Sequence, residues 1–371
     1  MSKVAPTAAA RTPKVFIVHD HVIESMMADV AQDLRNLGAD VVRGPVTTPG
    51  EKPAVLPPAF ISALAEADVA MFSSRSLCTR EMLTAVSARL RAVINPSIGV
   101  ETVDLAAASE LGILVGNGAT PENYHAMAEA SVMLILNLFF GLRKTERQLR
   151  EDLPRPALAD LHQQMIRGKT IGVLGMGNIG RALARLLVPF GVKLLAHSPH
   201  ADKSTLAPEV EMVGLDELMA RSDLVCVCIA VTPQNRQVVN ERTLGLMKPT
   251  AYLVNVSRGD AIDEPALVHA LKNGRLAGAA LDTFVVEPLP LDSPLRRLDN
   301  VILTPHAVGY TRDGFVSLRG AAVENIRRVL EGRVPLYCKN LAAIDQWSER
   351  VAAMEPLRPL ASSPERVAPG G

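Results

Sequence analysis

Thr170-Ile171-Gly172-Val173-Leu174-Gly175-Met176-Gly177-Asn178-Ile179-Gly180 is the stretch that decides how this chain folds. Its first five residues have the apolar, β-branched character of a buried strand, and a helical run from Arg181 to Val188 follows the last glycine. Glycines at this spacing are a weak signal alone; the strand-turn-helix context makes them specific. Gly175 permits a tight turn, Gly177 lets backbone approach a pyrophosphate without a Cβ, and Gly180 lets helix and strand pack closely. Free N–H groups at the helix N-terminus then face the phosphates. The six residues Gly175, Met176, Gly177, Asn178, Ile179 and Gly180 are therefore the candidate dinucleotide turn.

An acidic residue about twenty positions on would bond the ribose 2′-hydroxyl of NAD. Here the next strand ends Leu195-Ala196-His197-Ser198-Pro199-His200, and no acid appears before Asp202. Ser198 can bond a hydroxyl or a phosphate oxygen, while His197, His200 and Lys203 are close in sequence to where a 2′-phosphate would sit. The cofactor expectation is NAD or NADP, leaning slightly to NADP because no carboxylate repels the phosphate. The alternative is that these are solvated loop residues and Asp202 takes the acidic role.

Outward from this turn, β-branched runs alternate with helix-like segments in two blocks. Val15 to Val18, Val41-Val42, Val69 to Phe72, Ala92 to Ile94 and Ile113 to Val115 are strands of the first, with a helix over Val22 to Leu37 stopped by Gly38. The second has strands at Thr170–Leu174, Lys193–Ala196, Leu224–Ile229, Tyr252–Val256, Ala277–Leu281 and Val301–Leu303. Such alternation predicts an α/β fold with parallel sheets covered by helices on both faces. The Pro/Thr-rich stretch Val46 to Pro58 reads as a loop. One long helix is expected from Glu122 to about Arg150 and a last one from Val316 to Leu330. Beyond Asn340 the Pro/Ser/Ala-rich chain reads as a loose tail.

A length of 371 residues and 48% hydrophobic content suit two packed domains. Lys+Arg and Asp+Glu both number 39, so there is no electrostatic footprint for nucleic acid or a membrane surface, and a near-zero charge is compatible with self-association. The cysteines Cys78, Cys226, Cys228 and Cys338 lack zinc or redox spacing and read as buried thiols, with no metal site. Cys226 and Cys228 share one face of a strand. Met1 to Pro13 lacks the apolar core of a signal peptide, and Ala130 to Phe140 is too short to span a bilayer, so a reducing cytoplasmic location is expected.

Three polar residues fall where loops leave strands of the second block: Arg258, Glu287 and His306. Ligands of open α/β sheets bind at the carboxyl ends of strands. An arginine clamps a carboxylate bidentately, and a histidine paired with a glutamate can pass a proton to a substrate oxygen near neutral pH. Singly, each has an ordinary surface reading; together, downstream of a dinucleotide turn, they are harder to dismiss as surface residues.

Between Val69 and Pro335 the chain resembles the D-isomer-specific 2-hydroxyacid dehydrogenases. The resemblance rests on Gly99-Val100-Glu101-Thr102-Val103-Asp104, Gly175 to Gly180, Asn255-Val256-Ser257-Arg258-Gly259, Ala280 to Leu289 and Thr304-Pro305-His306. It implies hydride transfer between NAD(P)H and the acid, with Arg258 binding the keto acid, His306 as acid/base and Glu287 orienting it. It also implies Asp282 on the nicotinamide carboxamide and Thr232 near the adenosine. The backbone of Ser97, Ile98, Gly99 and Val100 would hold the substrate carboxylate, and Arg75 could read a second anionic group such as a phosphate.

The implied architecture is two Rossmann-like domains with the site in their cleft. One is a flavodoxin-like substrate domain, 14–120 with a return segment 305–336, followed by the tail 341–371. The other is a doubly wound dinucleotide-binding domain, 121–304, whose helix after Pro121 supplies much of a homodimer contact. Cys228 and Ala230 depart from the family's His and Pro. Glu287 argues against the formate dehydrogenase branch, which has Gln. Phosphoglycerate dehydrogenase specifically, and a non-catalytic dinucleotide-sensing scaffold of the corepressor type, are the competing readings.

Overall fold

The computed structural model describes residues 10–46, 54–157 and 163–361. The chain divides into two compact units, Met1–Asn123 with Arg312–Gly371 and Tyr124–Thr311.

The first unit opens β1 (Lys14–Ile17), α1 (Glu24–Asn36), β2 (Asp40–Arg43), β3 (Ala54–Val55), α2 (Pro58–Ala65), β4 (Val69–Met71), β5 (Ser76–Leu77), α3 (Arg80–Val86), β6 (Ala92–Ile94), α4 (Leu105–Glu110) and β7 (Leu114–Gly116). Five strands form a sheet in the order β2-β1-β4-β6-β7, every pair parallel. This is the flavodoxin-like order. Strands such as Val69–Met71 and Ala92–Ile94 are buried throughout, as a sheet covered on both faces requires. Local chemistry sets the helix ends: Thr79 and Asp104 accept from the third backbone N–H of α3 and α4, and Gly38, at φ +95°, follows α1.

The second unit contains most of α5 (Pro121–Phe140), then α6 (Leu142–Arg150), β8 (Thr170–Leu174), α7 (Asn178–Leu187), β9 (Lys193–His197), β10 (Val210–Met212), α8 (Leu215–Arg221), β11 (Leu224–Val227), α9 (Glu241–Leu246), β12 (Tyr252–Asn255), α10 (Glu264–Lys272), β13 (Gly278–Leu281) and β14 (Val301–Leu303). Its seven strands run β10-β9-β8-β11-β12-β13-β14, all parallel. Strand order reverses between β8 and β11, the switch point where such sheets bind ligands. Side-chain alternation divides the core between the faces. Val225, Val227 and Leu253 pack on one side, and Ile171, Val173, Cys226 and Val254 on the other.

Two expectations about helices and tails are corrected. The expected helix from Glu122 to Arg150 is two helices meeting at 61°, broken where Gly141 adopts φ +59°. No single helix among the described residues is long and apolar enough to cross a membrane. From Asn340 to Ala361 the expected loose tail instead packs on the first unit. After α11 (Arg312–Leu330), helix α12 (Ile344–Ala352) inserts Trp347, 2% exposed, into the first unit's core, and its indole N–H donates to the Arg91 carbonyl at 2.9 Å. Arg350 donates to the carbonyls of Gly112, Ser87 and Leu90, and Ala361 N–H to Leu37 O at 2.9 Å. Composition concealed this because a few residues, Trp347 and Arg350 among them, make the contacts. Residues 362–371 lie outside the described residues, as do 1–9 and the 47–53 part of the expected loop. That loop otherwise holds strand β3, and Pro58, its last residue, opens α2.

Trp347→Ala is expected to cost the first unit about 3–5 kcal/mol. A lowered midpoint in urea denaturation of the intact chain checks this; an unchanged midpoint contradicts the anchoring role of α12.

Candidate active site

Parallel pairing brings the carboxyl ends of all seven strands in the second unit to one edge, and that edge carries nearly every polar residue singled out in this half of the sequence. Gly175 follows β8 at φ +104°, and a Cβ there would lie 2.8 Å from the Cys228 carbonyl oxygen. A Cβ on Gly180 would lie 2.0 Å from Gly175 O. Both glycines are thus demanded by the fold. Gly177 is different: its Cβ would meet nothing within 4 Å. The space above it is open, as close approach of a pyrophosphate requires, so the turn fits a dinucleotide. Met176 is buried beneath this turn, and α7 begins at Asn178 with Gly177 as its cap, leaving its first N–H groups facing that space.

At the end of β9, His197 O accepts from Gly175 N–H at 2.9 Å, tying the strand to the turn. The His197 ring lies 3.0 Å by Nδ1 from the Val213 carbonyl. Pro199 and His200 are exposed, and Ser198 is half-buried. Asp202 follows this turn, exposed and close enough to Arg181 to feel its charge. Its Oδ1 accepts from Ser204 N–H at 2.9 Å and Ser204 Oγ at 2.7 Å, which hold its carboxyl below the usual carboxylate range. Thr232 lies in an exposed turn, its N–H donating to Asn235 Oδ1 at 2.7 Å. Cys226 is buried while Cys228 is half-buried, with the sulfurs 3.7 Å apart. The Cys228 thiol and burial push the Cys226 thiol well up, as suits inert packing.

The reactive corner is assembled from three consecutive strand ends. After β12, Asn255 Oδ1 accepts from Ser257 N–H and Oγ at 3.0 and 2.8 Å, and its amide donates to Arg258 O at 2.9 Å. The Arg258 guanidinium donates through Nη1 to Ser257 O at 2.8 Å. A Cβ on the next residue, Gly259, would lie 2.0 Å from the Phe284 carbonyl carbon. Gly259 therefore lets the Arg258 loop lie against the loop that carries Glu287.

Glu287 Oε1 accepts from Phe284 N–H at 3.0 Å, and Oε2 lies 2.7 Å from His306 Nδ1. Burial alone would raise the Glu287 carboxyl. The bond and charge of His306, the Phe284 N–H and the charge of Arg258 outweigh it and hold the carboxyl below its usual value. A charged carboxylate fixes the proton on Nδ1 and leaves Nε2 for a substrate oxygen. His306 itself has φ +54°, left-handed backbone that a non-glycine residue adopts only when its surroundings impose it.

Asp282 supplies that constraint. It is 1% exposed, and its Oδ1 accepts from Thr304 Oγ1 at 2.7 Å, Ala307 N–H at 3.0 Å and Val308 N–H at 3.1 Å. These donors bracket His306. Neither this clamp nor the contact made at Gly259 was read from sequence, although both residues lie inside the quoted motifs.

In the first unit, Ser97 N–H and Oγ both donate to Asn95 Oδ1, at 3.0 and 2.8 Å. This repeats the Asn255–Ser257 arrangement, and it removes Ser97 N–H from the expected carboxylate cradle. Ile98, Gly99 and Val100 N–H donate to no acceptor among the described residues. Arg75 Nη1 bonds buried Asp20, 3.2 and 3.1 Å from its two oxygens, so its charge is already paired.

The sequence profile of the NAD-binding domain of D-isomer specific 2-hydroxyacid dehydrogenases matches residues 132–308. Glyoxylate reductase of Thermofilum pendens is 38% identical over 66% of this chain and 74% of its own length. D-3-phosphoglycerate dehydrogenase of Methanocaldococcus jannaschii is 32% identical over 81% of this chain, which spans only 57% of that relative. The crystal structure of an acyclic imino acid reductase with NADPH and D-Arg superposes with a TM-score of 0.73 at 26% identity, covering 88% of this chain and 99% of that one.

Asp282→Ala strands three donors around His306, each worth about 1–3 kcal/mol when left unpaired. The expected result is a kcat at least ~100-fold lower with a depressed melting temperature; wild-type kcat would show that the His306 loop holds itself.

Proposed function

Since the chain belongs to the D-isomer specific 2-hydroxyacid dehydrogenases and is an NAD(P)-dependent oxidoreductase of 2-hydroxy acids, we propose that Arg258, Glu287 and His306 carry its reaction. The observation that carries this reading is the 2.7 Å His306–Glu287 pair at the strand edge that also bears the dinucleotide turn. Bound NAD(P)H supplies the hydride to the keto carbon. His306, charged and held by Glu287, delivers a proton from Nε2 to the keto oxygen, and in the reverse direction takes it back. Arg258, its backbone held by Asn255, binds the carboxylate and draws charge toward the keto oxygen. Asp282 would hold the nicotinamide carboxamide of a bound cofactor through its second oxygen. The unpaired N–H groups of Ile98, Gly99 and Val100 serve as donors to the substrate carboxylate. The substrate is a small 2-keto acid of the glyoxylate or hydroxypyruvate kind, a choice supported by the glyoxylate reductase relative.

The working form in this reading is a cytoplasmic homodimer. Helix α6 has no buried residue, and Phe140, Leu142 and Leu149 are exposed, Leu149 by 86%. Exposed large apolar side chains such as these suit a contact with a second copy of the chain. Unpaired thiols at all four cysteines fit a reducing compartment.

His306→Ala is expected to lower kcat by about 100- to 10,000-fold while leaving dinucleotide binding within about twofold, measured by fluorescence titration. Near-normal turnover on glyoxylate, hydroxypyruvate, phenylpyruvate or phosphohydroxypyruvate would remove His306 as the acid/base. Leu149→Glu is expected to shift the sedimentation coefficient from dimer to monomer; a monomeric wild-type protein would end the dimer reading.

A further inference from the structure

We propose that Asp20 is a specificity-determining residue. By pairing with Arg75 it makes the first unit select 2-keto acids that carry an uncharged hydroxyl on the third carbon and refuse those with a second anion there. The proposal rests on the reading of the Ile98, Gly99 and Val100 N–H groups as donors to the substrate carboxylate, and it narrows the substrate class of that same site.

The first sheet runs β2-β1-β4-β6-β7, so its strand order reverses between β1 and β4. A doubly wound sheet binds its ligand outside the carboxyl ends of the strands at that reversal. Asp20 lies just past the end of β1 and Arg75 just past the end of β4, so this pair occupies the reversal. The Arg75 loop is tied to the loop after β6, which holds the three N–H groups. Thr102 Oγ1 donates to Ser73 O at 3.0 Å, and Cys78 N–H donates to Thr102 O at 2.8 Å. Neighbouring strands lie about 4.8 Å apart, a spacing that an arginine side chain bridges.

Arg75 by itself would accept a phosphate or a second carboxylate; Asp20 prevents that. Asp20 is fully buried, its Oδ1 accepts from Val22 N–H at 2.9 Å, and Arg75 Nη1 lies 3.2 and 3.1 Å from its two oxygens. Drawing the guanidinium away toward a substrate anion would strand a buried carboxylate. Leaving it in place would set two anions against one cation. Arg43, the other arginine at this end of the sheet, gives no relief, since its Nη2 is held by Glu24 at 2.8 and 2.9 Å. Arg75 nevertheless keeps Nε and Nη2 without an acceptor among the described residues. A substrate hydroxyl can accept from these donors without adding charge, whereas a phosphate cannot.

Steady-state kinetics of the full chain on glyoxylate, hydroxypyruvate and phosphohydroxypyruvate, with NADH and with NADPH, tests this. Wild-type kcat/KM should be at least about tenfold higher on hydroxypyruvate than on phosphohydroxypyruvate. Asp20→Asn keeps an acceptor for Val22 N–H and removes the charge. It should raise kcat/KM on phosphohydroxypyruvate relative to glyoxylate by about tenfold or more. Arg75→Met should lower kcat/KM on hydroxypyruvate relative to glyoxylate by about tenfold, because glyoxylate has no third carbon to read. Each result is a ratio of two substrates on one protein, so a general loss of activity or of folded protein cancels. Wild-type turnover of phosphohydroxypyruvate as efficient as that of hydroxypyruvate, or unchanged ratios in the variants, overturns the role of Asp20 and leaves the oxidoreductase reading standing. Turnover of none of the three acids overturns both together.

Discussion

Thr304 Oγ1 and the N–H groups of Ala307 and Val308 converge on one oxygen of Asp282, a carboxylate almost wholly removed from water. A buried charge is tolerated only when it is paired or fully hydrogen-bonded, so the loop closes on Asp282 as the condition of burying it. That closure forces His306 into left-handed backbone, and from there its imidazole meets Glu287. Glu287 is in turn held by Phe284, against whose carbonyl Gly259 packs with no room for a side chain. Displacing any link moves the histidine.

The seven parallel strands make this economical. Because all strands run the same way, each loop leaving a carboxyl end emerges on the same edge, and residues separated by many tens of positions become neighbours without long connections. Arg258, Asp282, Glu287 and His306 come from three such ends, the glycine turn and Ser198 from two more. The first unit uses the same local device, an asparagine accepting from the Ser N–H and Oγ two residues on, at Asn95 and Ser97. In both units this turn ties down the backbone just past a strand.

Electrostatics divides the second unit's edge into two regions. Around His306 the charges are paired, Glu287 with His306 and with the nearby charge of Arg258. Around the end of β9 lie Arg181 and the exposed Asp202, whose carboxylate is favoured by Ser204 and by the charge of Arg181. The His306–Glu287 pair suits proton transfer.

Short-range features were legible from the residues alone. The strand-turn-helix glycines, the alternation into parallel sheets and the trio Arg258, Glu287 and His306 follow from periodicity, spacing and a motif order, all of which are local in the chain. What lay beyond reach depended on contacts between distant residues. Arg75 meets Asp20 across fifty-five positions, which paired a charge that had been free to read an anion. Trp347 enters a core built mostly from residues more than two hundred positions earlier, which turned an expected tail into a helix. Sequence alone therefore determined which chemistry this protein carries and which turn is the candidate for a pyrophosphate, because three glycines within six residues are written locally in the chain. Tertiary structure decided which charges remain free to act, because a carboxylate's partner is set by packing and not by its place in the chain.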